Sequence, residues 1–240
     1  MSISVIIPCH NEASRAGVSF EDRLITIDNY MSSNFTDYEI ILVSDGSTDR
    51  TSYVIECFRN YVGNHIVSIV YKKNHGKGFA IKEGAMVSTK DFAFIMDADL
   101  STNIDYIKYF YDIISADDNL DSVIGARGFK YNAGFRHIVS KLSYFCTKRI
   151  LGLDIKDTQC GFKIIRGNLL RSFSSKYQKC NNWLFDSELL VFLKENKYNI
   201  RCEYIDWTNN QDSRVKILSG VVLSVIELLK IVILRYKYSE

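Results

Sequence analysis

Residues 91–100 read DFAFIMDADL, a short apolar run that ends on two carboxylates, Asp97 and Asp99. An apolar run of this length bounded by polar residues reads as a buried strand. Side chains two positions apart in an extended chain point the same way, so Asp97 and Asp99 share a direction at the strand's end. Two like charges placed together repel unless a cation lies between them. A hard divalent ion, Mg²⁺ or Mn²⁺, takes oxygen ligands and can share the oxygens of a diphosphate. An isolated Asp-x-Asp is most often only a solvated turn; its position at the end of a strand argues for chemistry.

The same pattern recurs along the chain. Strands are expected at Ser2–Pro8 (SISVIIP), Tyr38–Ser44 (YEIILVS), Ser68–Lys72 and Ser122–Ala126. Helix-period segments alternate with them, at 21–33, from a cap at Ser47 through Val62, at 78–88 and at 103–115. The strands are almost continuously hydrophobic, which suits a parallel sheet covered on both faces. The expectation is an α/β doubly wound fold, in which ligands lie beyond the carboxyl ends of the strands. Those ends carry His10-Asn11-Glu12, Asp45-Gly46-Ser47, Asp97-Ala98-Asp99 and Arg127.

The second half is less regular. It suggests a helix near 136–151, a turn over Asp157–Gly161, a helix near 182–196 with Trp183 and Phe185 in the core, and a strand at Arg201–Trp207. One domain over 1–213 is then followed by an apolar segment, 214–240, interrupted by Lys216, Glu227 and Lys230. Its longest uncharged run is 10 residues, short of the roughly 20 that span a bilayer. It reads as an amphipathic helix that either packs on the core or lies in a membrane interface, with Arg235 and Lys237 following among tyrosines. On the interfacial reading, deleting 215–240 weakens membrane association more than donor binding.

With 240 residues and 47% hydrophobic composition, the chain is long enough for one large core. A net charge of +2 and no basic-aromatic stripe exclude a nucleic-acid partner as an expectation. The six cysteines, at 9, 57, 146, 160, 180 and 202, form no Cys-x-x-Cys pair and read as reduced thiols. The N-terminal residues run straight into a strand, so no signal peptide is expected.

Two further stretches suit a nucleotide. Asp45 could accept the imide N–H of a uracil ring, with Gly46 permitting a tight turn. Asn74-His75-Gly76-Lys77-Gly78 is glycine-rich and basic and opens a helix, which suits a phosphate. It lacks the spacing of a Walker loop.

Taken together, VIIPCHNE (5–12), VSDGSTD (43–49), NHGKGFAIKEG (74–84) and DADL (97–100) resemble, in order, the family 2 glycosyltransferases of the GT-A fold. GAR (125–127), DTQCGFK (157–163) and WLFDSELL (183–190) look like the dolichyl-phosphate beta-glucosyltransferase and polyprenyl-phosphate glycosyltransferase branch. That resemblance implies roles. Pro8, Asn11, Glu12 and Asp45 would line the nucleoside pocket, and Lys77 would order the donor. Asp97 and Asp99 would hold diphosphate and metal. Ser101 stands where relatives place a third metal ligand, a Gln. Arg127 and Arg136 would engage an acceptor phosphate. Asp157, Gln159, Trp183, Asp186 and Glu188 would lie near the sugar, with Asp157 and Glu188 as sugar contacts first and catalytic bases second.

The implied reaction is inverting transfer of a sugar, glucose by expectation, from a UDP-sugar to a polyprenyl phosphate on the cytoplasmic side of a membrane. The rivals are a family 2 transferase acting on a glycan hydroxyl and a nucleotide-sugar-binding protein without catalysis.

Overall fold

The computed structural model describes residues 2–127, 148–155, 157–207, 217–235 and 238. Arg136 and most of the helix expected at 136–151 therefore lie outside the described residues. The strands are β1 (Ser2–Cys9), β2 (Asp37–Asp45), β3 (Ile66–Tyr71), β4 (Phe92–Ile95), β5 (Ser122–Arg127), β6 (Lys163–Arg166) and β7 (Ile200–Ile205). The helices are α1 (Phe20–Asn34), α2 (Thr51–Val62), α3 (Lys77–Val87), α4 (Tyr106–Ser115), α5 (Gly167–Ser172, continued by a π turn over Phe173–Tyr177), α6 (Phe185–Glu195) and α7 (Ile217–Leu234).

The strands form one seven-stranded sheet in the order β3-β2-β1-β4-β6-β5-β7. β1 pairs in parallel with β2 and β4, β2 with β3, and β5 with β7. Among the described strands only β6 runs against its neighbours. Hydrophobicity is continuous because both faces are covered. Ile3, Val5 and Ile7 of β1 join one core with α1, α2 and α4, while Ile6 joins another with α3, α5 and α6. The doubly wound α/β expectation holds, and the carboxyl ends of β1, β2, β4 and β5 gather on one edge.

Four details differ. The four-residue β6 was not anticipated. α2 starts at Thr51, because Ser47 Oγ is engaged elsewhere, with Asn11 N–H (3.2 Å) and Ser44 (2.9 Å), while Asp49 Oδ1 accepts Thr51 N–H at 2.9 Å. Trp183 is 44% exposed rather than core, whereas Phe185 is buried. Finally, α7 carries apolar residues on its outer side as well as its core side. Its Glu227 points inward with Ile231, and Leu223, Ile226, Leu229 and Ile233 are exposed. Among the described residues no helix is long and apolar enough to cross a membrane.

Candidate active site

The loops after β1 and β2 are tied together by Asn11. Its φ of +54° turns the chain sharply, and its Oδ1 accepts the N–H of Thr48 (2.7 Å) and of Asp49 (3.3 Å). Pro8, half-buried, is the penultimate residue of β1 and pairs in register with Val43. Gly46 takes φ +66°, and a Cβ there would come within 2.2 Å of Asn74 N, so only glycine fits. Asp45 is 3% exposed and accepts the N–H groups of His75 (2.9 Å) and Gly76 (2.7 Å). The carboxylate expected to read a uracil thus faces backbone donors, and its observed work is to shape the 74–76 loop that opens α3.

Glu12 likewise faces protein rather than an open pocket. It is 7% exposed and pairs with Arg23 (2.9 Å) and Arg15 (3.1 Å). Arg23, itself buried, also donates to the carbonyls of Ala98 (2.7 Å) and Glu12 (2.9 Å). Arg15 reaches on to Asp99 Oδ2 at 3.2 Å. The two arginines, which sequence reasoning missed, link the β1 loop directly to the Asp-x-Asp turn. The signal for them was faint: Arg15 lies in an irregular loop and Arg23 reads as an ordinary position of α1.

Asp97 and Asp99 line one cleft together with Ser101, Arg127, Gly161 and Trp207. Asp97 is half-exposed and receives Lys77 Nζ at 2.5 Å. Desolvation pushes the Asp97 carboxyl up, but Lys77, with Arg127 and Lys163 behind it, outweighs that and holds it below its ordinary range. Lys77 shows the converse: burial acts to lower it, while Asp97 and Asp186 push it up to about 12. After Asp99 the chain passes through Leu100 at φ +52°, a conformation unfavourable for leucine, and Ser101 N–H closes back on Asp99 Oδ1 at 3.0 Å. A Cβ on Gly161 would fall 2.7 Å from Asp97 Oδ2, so the 157–161 turn forms the close opposite wall.

Two hard oxygen donors at the rim of one cleft fit Mg²⁺ or Mn²⁺. Among the described residues no group of three or more His, Cys, Asp or Glu side chains could hold the ion. The remaining coordination positions would fall to a ligand's oxygens and water, as is usual for an ion that works on phosphates.

At the end of β5, Arg127 grips Asp157 through Nε (2.7 Å) and Nη2 (3.0 Å) and lies over the Trp207 ring at 5.5 Å. Desolvation raises the Asp157 carboxyl, but Arg127 overcomes it and leaves it below the usual range. Gln159, half-buried in the same turn, donates its backbone N–H to Asp157 at 3.3 Å. β6 starts on this edge because it runs backwards. Its first residue, Lys163, is fully buried and donates to Asp186 and to the Cys160 carbonyl. Asp186, 3% exposed, therefore lies beneath the cleft floor.

Glu188 corrects an expectation. It is fully buried, and its carboxylate accepts Lys179 N–H (2.9 Å), Cys180 N–H (2.8 Å) and the Tyr238 hydroxyl (2.7 Å). Burial pushes its pKa up, yet nothing outside the protein reaches it. It holds the 179–180 backbone and presents no exposed atom to the cleft.

Comparison with known proteins agrees with this architecture. A dolichyl-phosphate beta-glucosyltransferase of Trichomonas vaginalis is 30% identical over 248 residues, covering 96% of this chain and 73% of that one. A protein of the same description from Homo sapiens is 30% identical, covering 89% and 69%. Glucosyl-3-phosphoglycerate synthase from Mycobacterium tuberculosis, solved with Mn²⁺, UDP-glucose and phosphoglyceric acid, superposes with a TM-score of 0.69 at 14% identity over 98% of this chain and 79% of that one. The glycosyl transferase family 2 model matches residues 4–173, and the chain belongs to that family as a glycosyltransferase of the GT-A fold.

Proposed function

We propose that the chain transfers glucose from UDP-glucose to a polyprenyl phosphate of the dolichyl type, with inversion at the anomeric carbon. The observation that carries this reading is the single cleft in which Asp97 and Asp99 face Arg127 and the 157–161 turn. Relatives named for dolichyl phosphate and glucose span most of the chain and support the acceptor and the sugar. The Mn²⁺ and UDP-glucose bound in the structural neighbour support the donor and the metal.

A divalent ion held by Asp97 and Asp99 would neutralise charge on the departing nucleoside diphosphate. Lys77 lies 2.5 Å from Asp97, close enough to share that load. Arg127, fixed by Asp157 and Trp207, offers its guanidinium to the acceptor phosphate; Arg136 is proposed for the same group. A phosphate monoester has a second pKa of about 6 and is largely ionised at neutral pH, so it needs positioning more than deprotonation.

This bears on the rival reading. A glycan hydroxyl would require a general base. Asp157 is held as a poor one by Arg127, and Glu188 is sealed away. The described residues therefore favour an acceptor that arrives already ionised.

Membrane attachment is proposed through the exposed face of α7, placing the protein peripherally on the cytoplasmic leaflet. The test is to offer UDP-glucose, UDP-N-acetylglucosamine, UDP-galactose and GDP-mannose with Mn²⁺ and a short-chain polyprenyl phosphate, and to assay lipid-linked sugar. Glucose transfer to the lipid but not to free saccharides is expected, with Asp99→Asn losing turnover. Transfer to saccharides alone, or an active Asp99→Asn enzyme, overturns the reading.

A further inference from the structure

The ion pairs around the cleft join five basic side chains, Arg15, Arg23, Lys77, Arg127 and Lys163, to five acidic ones, Glu12, Asp97, Asp99, Asp157 and Asp186. This set is therefore balanced before any metal enters. Within this described set, a divalent cation alone adds two positive charges with no counter-anion. A cation entering with a diphosphate restores the balance.

The basic groups are not equally fixed. Arg23 is 5% exposed at its side chain and makes hydrogen bonds to Glu12 and two carbonyls. Lys163 is fully enclosed between Asp186 and the Cys160 carbonyl. Arg15 is 23% exposed, and one nitrogen, Nη1, spans Glu12 (3.1 Å) and Asp99 (3.2 Å). It can leave Asp99 without stranding a buried charge, because Arg23 still neutralises Glu12.

From this asymmetry we propose that Arg15 is a positioning residue that stands in for the metal on Asp99 and moves onto the donor's diphosphate when the metal arrives. This rests on the metal-dependent donor site proposed above. Arg15 then opposes binding of the bare ion and favours binding of the ion together with a nucleoside diphosphate. The two become coupled: each binds more tightly when the other is present. The cleft thereby avoids holding a divalent ion with no donor to act on.

The experiment measures Mn²⁺ binding by electron paramagnetic resonance, with and without UDP, in the wild-type protein, Arg15→Gln and Arg15→Lys. In the wild type, UDP should tighten Mn²⁺ binding. In Arg15→Gln, Mn²⁺ alone should bind about tenfold more tightly, within the usual range of coupling between sites, and the gain from UDP should shrink by a similar factor. Arg15→Lys keeps the charge and should retain most of the coupling. Thermal melts confirm that each variant is folded, as expected for a part-exposed side chain. Unchanged or weaker Mn²⁺ binding by folded Arg15→Gln, beside a wild type that binds Mn²⁺ and UDP together, overturns the role of Arg15 alone. A wild type that binds no Mn²⁺ even with UDP overturns the metal-dependent donor site as well.

Discussion

Arg127 holds Asp157 through two guanidinium nitrogens, and the Gln159 backbone N–H donates to the same carboxylate. That grip decides what Asp157 can do: a carboxylate whose charged form is so well satisfied gives up proton affinity and becomes a scaffold for the arginine. Asp157→Asn should remove the charge and leave Arg127 free to wander from the acceptor position. Because the Arg127 side chain is 36% exposed, solvent screening reduces the cost, and a stability loss of about 1–2 kcal/mol is expected. The sign with pH follows from the lowered pKa. The stabilisation is fully present above the unfolded-state value of about 3.9 and disappears as pH falls through the still lower folded-state value. Denaturant melts of wild type and variant should differ at pH 7 and converge as pH falls below the ordinary carboxylate range. A gap that widens on acidification would contradict the assignment.

At the scale of elements, α7 reaches the proposed donor site through a short relay. Glu227 accepts Asn182 N–H (2.8 Å), Asn182 Nδ2 (3.1 Å) and Leu184 N–H (3.1 Å). The same segment presents the Asn181 carbonyl to Phe79 N–H at 3.0 Å, beside Lys77 at the start of α3. Glu227→Ala would orphan these donors and should cost roughly 2–4 kcal/mol. It should also weaken UDP binding, measured by calorimetry; unaltered UDP affinity would show that the relay carries nothing. Deleting α7 should therefore damage donor binding as much as any membrane association, which revises the expectation drawn from hydropathy. The reason lies in what periodicity can see. α6 is buried from Phe185 through Leu193 on every side, so no apolar stripe marks a sugar-facing flank, and Glu188 looks available when it is enclosed. β6 spans only four residues bracketed by Lys163 and Arg166, too short and too charged to read as a central strand. The strand-end motifs were legible because backbone geometry alone brings those loops to one edge. The arginine network of Arg15 and Arg23 was not, because it depends on how α1 folds back over Ala98.

For the molecule as a whole, the membrane attachment proposed above makes α7 the surface to test. α7 fixes one side to the core through Glu227 and Ile231 and turns Leu223, Ile226, Leu229 and Ile233 outward, with exposed Lys230 among them. Apolar side chains on a helical face beside a basic residue suit the boundary between lipid headgroups and acyl chains. Each such side chain, once buried, contributes roughly 1.5–3 kcal/mol, so removing two should release most of the protein from a membrane. Leu229→Asp with Ile233→Asp alters only exposed positions and leaves the Glu227 relay intact. The double variant should lose cosedimentation with anionic phospholipid vesicles while keeping wild-type UDP affinity. Its transfer to vesicle-embedded polyprenyl phosphate should fall, and transfer to a detergent-dispersed short-chain analogue should not. Vesicle binding equal to wild type would move the membrane contact away from α7.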